Sequence, residues 1–200
     1  MIDAHVRNRR VGPRRGSCSR RAYTLVELLI VIAVLGIASA IVVPSLENED
    51  DTDVQAAVRK LIGDLSFAQS DALARQQYRR VHFFDDGRGY CIVRETSASY
   101  ASAFDAATAD YVNDPLGSPG SMGRYIVDFS LDNRFQNVRI ESISIDGGGR
   151  DIVYDTIGGT IQAGDTPGTG GTIVLAANGN RYQITVSAFT GKLSVERLAT

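Results

Sequence analysis

The spacing of apolar positions changes along this chain. From Leu28 to Val43 they run on for sixteen residues without a charge, LLIVIAVLGIASAIVV, and counting back to Tyr23 gives twenty-one residues before Pro44. At 1.5 Å per residue that makes a helix of about 31 Å, close to one hydrocarbon thickness, so the run is long enough to span a membrane. Pro44 then kinks or resets the helix. Beyond it Val54, Val58, Leu61, Leu65, Ala68 and Ala72 recur at spacings of three and four, which predicts an amphipathic helix to about Gln77. Ser45 or Asp53 are its candidate caps, and Ile62 and Leu73 widen the stripe.

From Arg79 the period shortens to that of strands. RRVHFF and YCIVRE flank DDGRG, a hairpin with Gly87 or Gly89 at a left-handed position. Five more β-rich segments follow at 124–130, 135–145, 151–157, 171–177 and 181–188, and the last spans 192–198. Residues 96–123 and 158–170 are small, polar and turn-rich, so they read as mobile surface loops. The predicted fold is α+β: one long N-terminal helix, transmembrane in its first half and amphipathic in its second, packed on antiparallel β-sheets. Its segments are a basic leader (1–22), a membrane and assembly helix (23–44), an amphipathic helix (45–78) and a β domain (79–200).

Charge gives the apolar run a direction. Residues 1–22 hold seven arginines against one acid, Asp3, a formal +6, whereas the rest holds 14 basic and 22 acidic residues, a formal −8. With arginines before the apolar run and Glu47, Glu49, Asp50, Asp51 and Asp53 after it, the N-terminus is expected on the cytoplasmic side and the C-terminal domain across an inner membrane. The acidic body argues against a nonspecific nucleic-acid surface, which draws on clustered Lys and Arg. An ordinary signal peptide cut after Ala38-Ser39-Ala40 is the competing account of the N-terminus.

Glu27 stands at the start of the apolar run. A carboxylate near a bilayer centre costs on the order of 3 kcal/mol on insertion scales, so its presence is a functional signal. Other candidate chemistry is sparse. His5 lies in the leader and His82 in a strand, no Cys/His metal spacing or Gly-x-Ser-x-Gly elbow occurs, and the expectation is a non-enzyme without cofactor or metal. No apolar segment precedes Cys18, which argues against lipidation there, and Cys91 reads as a buried strand residue. Asp85-Asp86 and Asp146 with Asp151 flank glycine turns and read as solvated acids before calcium ligands.

Ala22-Tyr23-Thr24-Leu25-Val26-Glu27, between a basic leader and an apolar helix ending at Pro44, resembles the prepilin processing motif of type IV pilins and type II secretion pseudopilins. The resemblance implies a cut between Ala22 and Tyr23 by a prepilin peptidase, with methylation of the new Tyr23 amine. Thr24, Leu25 and Glu27 are then assembly residues, the glutamate facing the N-terminus of a neighbouring subunit. Ala22 stands where the family has glycine. LIGDLSFAQSDALARQQ leading into a strand, and the C-terminal pair ending TGKLSVERL, resemble the H-type pseudopilins, the GspH/FimT group. The implied function is a minor pseudopilin of a type II secretion pseudopilus. Its partners would be the peptidase, other pseudopilins, an inner-membrane assembly platform and lipid. A FimT-like minor pilin acting in DNA uptake or pilus assembly, and an exported soluble domain, are the alternatives.

Overall fold

In the computed structural model the described residues are 23–46, 49–135 and 137–199, of which 40–46 and 49–51 are described by their backbone. The expected leader, including Ala22, lies outside them. The chain divides into two compact units, one ending at Pro44 and one beginning at Ser45.

Helix α1 starts at Leu25, in the first unit, and extends to Leu46. It continues past Pro44, where the sequence reading placed its end, and α2 (Glu49–Arg75) is already under way at Asp53. Neither Ser45 nor Asp53 therefore caps α2, because Ser45 lies within α1 and Asp53 inside α2.

The second unit is built around α2. Val54, Val58, Leu61, Leu65, Ala68 and Ala72 are buried as their spacing predicts, and Ala57 joins them. Ile62 packs at the margin of the core, but Leu73 is 55% exposed and does not widen the stripe. The helix ends two residues before Gln77. Gln76 takes a left-handed φ of 52°, while the Gln76 and Gln77 amides donate to the Leu73 and Ala72 carbonyls at 3.4 and 3.1 Å. That is the double bond of a Schellman stop, formed here without the usual glycine.

The α+β class is observed. Strands β1 (Tyr78–Phe83), β2 (Gly89–Glu95), β3 (Asp110–Tyr111), β4 (Ile126–Asp128) and β6 (Asp151–Tyr154) form one antiparallel sheet, ordered β3-β2-β1-β6 with β4 also on β2. Strands β5 (Arg139–Ile145), β9 (Gly171–Ala177), β10 (Asn180–Val186) and β11 (Leu193–Leu198) form the second, ordered β11-β10-β9-β5. A hairpin of β7 (Ile161–Gln162) and β8 (Thr166–Pro167) stands apart. In the DDGRG turn Gly87 takes the left-handed position, φ 70°, and Gly89 begins β2. A Cβ at Gly89 would lie 1.9 Å from the Val127 carbonyl oxygen, so the β2–β4 crossing admits only glycine there.

Both sheets bury their inner faces on α2, Val81, Phe83, Tyr90 and Ile92 from the first and Ile173, Leu175, Ile184 and Val186 from the second. Buried charges fasten that contact. Asp64 of α2 accepts from the Tyr90 hydroxyl at 2.5 Å, from the Tyr125 hydroxyl at 3.0 Å and from Lys60 at 2.5 Å. The nearby carboxylate and burial push both phenols well above their usual range, burial being the larger cause. Asp71 binds Arg75 at 2.7 Å and Arg79 at 2.6 Å, with Arg79 fully buried. Desolvation alone would raise the Asp71 carboxyl, yet the hydrogen bonds and charges of the two arginines outweigh it and hold it below its ordinary value.

The first part of loop 96–123 packs on the first sheet. Arg80, on the outer face of β1 and 1% exposed, donates through one nitrogen to the carbonyls of Ser99, Tyr100 and Ser102 at 3.2, 2.8 and 2.8 Å. Tyr78 stacks on Tyr100 and His82 on Phe104, with centroids 4.9 and 3.9 Å apart, so the loop roofs the first sheet.

Replacing Asp64 by alanine strands two buried phenols and an ammonium. The loss is expected to be about 3 kcal/mol, seen as a lower urea midpoint at unchanged slope, with Asp64→Asn losing less because one acceptor oxygen remains.

Candidate functional site

The residues singled out in the sequence gather at the start of α1. Thr24 is its N-cap: the Thr24 hydroxyl oxygen accepts the Glu27 amide at 3.1 Å and the Thr24 carbonyl accepts the Leu28 amide at 3.1 Å. The Thr24-x-x-Glu27 spacing is that of a capping box, a signal the sequence reading passed over while treating both residues as assembly residues. Glu27 is the acidic residue of the first turn, where the helix dipole favours a negative charge by roughly 0.3–1 kcal/mol. This local stabilisation is small beside the cost of an unpaired carboxylate in hydrocarbon. Among the described residues nothing bonds the Glu27 carboxylate.

Tyr23 precedes the cap with its ring exposed, and Leu25 opens the helix. The Ala22–Tyr23 bond has one partner outside the described residues. Ten large apolar side chains from Leu25 to Ile37 stand exposed on every side of α1, so the helix has no polar face to turn to water. Among the described residues no helix is long and apolar enough to cross a membrane. Side chains are described only as far as Ser39, so the span expected over 23–43 extends beyond them. Pro44 lies inside α1.

The other candidates do not converge on a reaction centre. His5 and Cys18 lie outside the described residues. His82 Nδ1 sits 2.6 Å from Asp151, under Phe104, and Asp151 also faces Arg80 at 3.6 Å. Cys91 is a free, buried thiol, pushed up to about 12 by burial and then by the Asp151 charge, and is held far from the reactive thiolate form. Asp146 accepts the amides of Thr169 and Gly170 at 2.6 and 3.2 Å, and Asp85 pairs with Arg150 at 3.1 Å. Among the described residues no group of His, Cys, Asp or Glu could hold a metal ion.

Comparison with known proteins finds a match at the N-terminal segment. Residues 18–43 match the family model of the prokaryotic N-terminal methylation motif. No curated protein matches. Among solved structures, the chain is similar to the minor pseudopilin EpsH from the Type 2 Secretion System of Vibrio cholerae, at 12% identity and a TM-score of 0.47, over 72% of this chain and 97% of that one. It is also similar to the type IV minor pilin FimU of Pseudomonas aeruginosa in two crystal forms, each at 15% identity. Their TM-scores are 0.44 and 0.42, over 74% and 71% of this chain and 90% and 91% of theirs.

The cap gives a direct test. Thr24→Val removes the acceptor and keeps the shape, so the Glu27 amide should exchange faster with solvent by a factor set by about 1 kcal/mol, while Thr24→Ser stays near the parent. Equal exchange in all three proteins, measured in detergent micelles, would remove Thr24 as the cap.

Proposed function

We propose that the chain is a minor pseudopilin, a non-catalytic subunit of a type II secretion pseudopilus, made with the leader 1–22 and matured by prepilin peptidase. The observation that carries this is the methylation motif over 18–43, running into a helix that is apolar on all sides. Cutting before Tyr23 releases a cationic amine one residue ahead of the Thr24 cap, next to the first turn of α1 that carries Glu27.

In a filament of such helices the same carboxylate can instead meet the amine of a neighbour. There it sits in a dry bundle, where pairing is worth far more than in water and an unpaired charge is costly. Thr24 and Leu25 set the helix start, and with it the depth of Glu27. Exposed Leu, Ile and Val side chains of α1 would be covered first by lipid and then by sister helices, each burial contributing about 1.5–3 kcal/mol against water. The β-bearing unit is then periplasmic, the membrane inner, and the assembly platform and other pseudopilins the partners. Force would come from that machinery, since this chain supplies packing surfaces.

The mature N-terminus decides the matter. Mass spectrometry of the protein from cells with an active prepilin peptidase is expected to find N-methylated Tyr23; a chain starting at Ile41, or one retaining residues 1–22, would overturn the proposal. Glu27→Leu and Glu27→Gln should both be cut normally yet enter filaments several-fold less well, scored by co-purification with the filament. Incorporation at the parental level by both variants would return Glu27 to a purely local role at the helix start.

A further inference from the structure

Lysine is rare in this chain, and one of its two copies stands against a buried acid. Of the 21 basic residues in the sequence only Lys60 and Lys192 are lysines, and arginine serves everywhere else. Asp71 shows the difference on the same helix: its partner four positions on is Arg75, at 2.7 Å, a guanidinium that holds its charge and is no nucleophile. Arginine can grip a carboxylate through two parallel bonds, so for pairing alone lysine is the weaker choice at position 60. Its distinguishing property is an amine that can react.

The surroundings of that amine suit a reaction. Asp64 is 4% exposed, and Lys60 Nζ lies 2.5 Å from Asp64 Oδ2. The contact holds Nζ no more than about 3.7 Å from the carboxyl carbon, near the separation from which an attacking atom reacts. Lys60 precedes Asp64 by four positions on α2, so the two side chains lie one above the other and can join without unwinding the helix. The Tyr90 hydroxyl donates to Oδ2 at 2.5 Å and the Tyr125 hydroxyl to Oδ1 at 3.0 Å, so each carboxyl oxygen meets a phenol. Burial, and then the Asp64 charge, keep both phenols protonated. Nζ also lies over the Tyr125 ring, 5.3 Å from its centre, and Phe67 stacks on that ring.

We propose that Lys60 and Asp64 condense into an amide, an internal cross-link between the two side chains within one turn of α2. The Lys60 ammonium first passes a proton to Oδ2, which turns the ion pair into an amine and a carboxylic acid. The Nζ lone pair attacks the carboxyl carbon, and the charge that collects on Oδ1 is met by the Tyr125 hydroxyl. The nitrogen then gives up a second proton, relayed by the Tyr90 hydroxyl to Oδ2, which leaves as water. One nitrogen–carbon bond forms, one carbon–oxygen bond breaks, and nothing is oxidised or reduced. Groups held together in this way act at an effective concentration of roughly 10⁵–10⁸ M, far above that of the water that would reverse the step. In the product Oδ1 still accepts from Tyr125, and the new amide N–H takes the place of Oδ2 beside Tyr90.

The test is the mass of the full chain, purified, unfolded and digested with trypsin. The parent is expected to be one water lighter than its sequence, with the bond after Lys60 spared and residues 60–75 recovered as one peptide that carries the deficit. Lys60→Arg keeps the charge and loses the nucleophile, so it should have its full sequence mass. Asp64→Asn should release ammonia where the parent releases water, and so arrive at the same final mass as the parent. Tyr125→Phe keeps the ring and removes the donor to Oδ1, and should leave most chains uncondensed.

A parent cut normally after Lys60, with no deficit in its peptides, would overturn the cross-link. So would a deficit that hydroxylamine removes, one that maps to Asp86-Gly87 or Asp146-Gly147 as an aspartyl imide, or one that persists in Lys60→Arg. The peptide 60–75 reads the same whether or not the chain is cut before Tyr23, so this result and the filament reading stand or fall separately.

Discussion

One helix has to complete two sheets, and the body of the protein depends on α2 doing so. Its apolar stripe of Val54, Val58, Leu61, Leu65, Ala68 and Ala72 is narrow, with small residues toward the C-terminal end. Small side chains let strands approach closely, but alone they specify position poorly, since alanines slide past one another at little cost. The charged contacts supply what the stripe lacks. Asp64 reaches Tyr90 on β2 and Tyr125 just before β4, and Asp71 reaches Arg79 at the start of β1. A shift of α2 by one turn would leave a buried carboxylate facing apolar side chains, at a cost of several kcal/mol.

The first sheet uses the same device on its other face. Arg80 points away from α2 and, with Glu95 at 3.1 Å, forms the underside of the 96–104 roof. Two of its nitrogens, Nε and Nη1, have no well-aligned hydrogen bond although acids lie within ion-pair distance. We read these as electrostatic contacts with poor directionality, weaker than the three carbonyl bonds made by Nη2. Consecutive arginines, Arg79 and Arg80, thus anchor opposite faces of one strand, as the alternation of side chains along β1 requires.

How much of this was legible in the sequence follows from which interactions are periodic. The stripe on α2 and the eight principal strands repeat with regular spacing and could be read directly. The short strands β3, β7 and β8 could not, because two residues carry no period and their pairing is set by the loops that bring them together. Leu73 was misread because spacing places it beside the stripe, whereas it lies next to Gly158 on the Gln69 side of α2 and stands 55% exposed. The Schellman stop at Gln76 carried no glycine to announce it. Asp64 and Arg80 look like solvent-facing charges in any one-dimensional pattern, and only partners distant in sequence, Tyr125 and the 99–102 carbonyls, make them core residues. At the N-terminus the reverse holds: Thr24 and Glu27 are local partners three positions apart, so the cap was written in the sequence for any reading that looked for it.

The two helices are opposite answers to the same problem. An apolar helix surface must be covered, and α2 is covered by its own chain because its stripe is one-sided and two sheets close over it. α1 exposes apolar side chains on every side from Leu25 to Ile37, and under the proposed function lipid and then sister helices would cover them. A helix selected only for lipid would gain by replacing Glu27 with leucine. Retaining an acid there makes sense when the final environment contains a fixed cation, and under the proposed function a cut before Tyr23 would supply one close to Glu27. Motif, cap and carboxylate are on this account a single mechanism, in which Thr24 fixes where the helix begins and thereby how deep the charge is set.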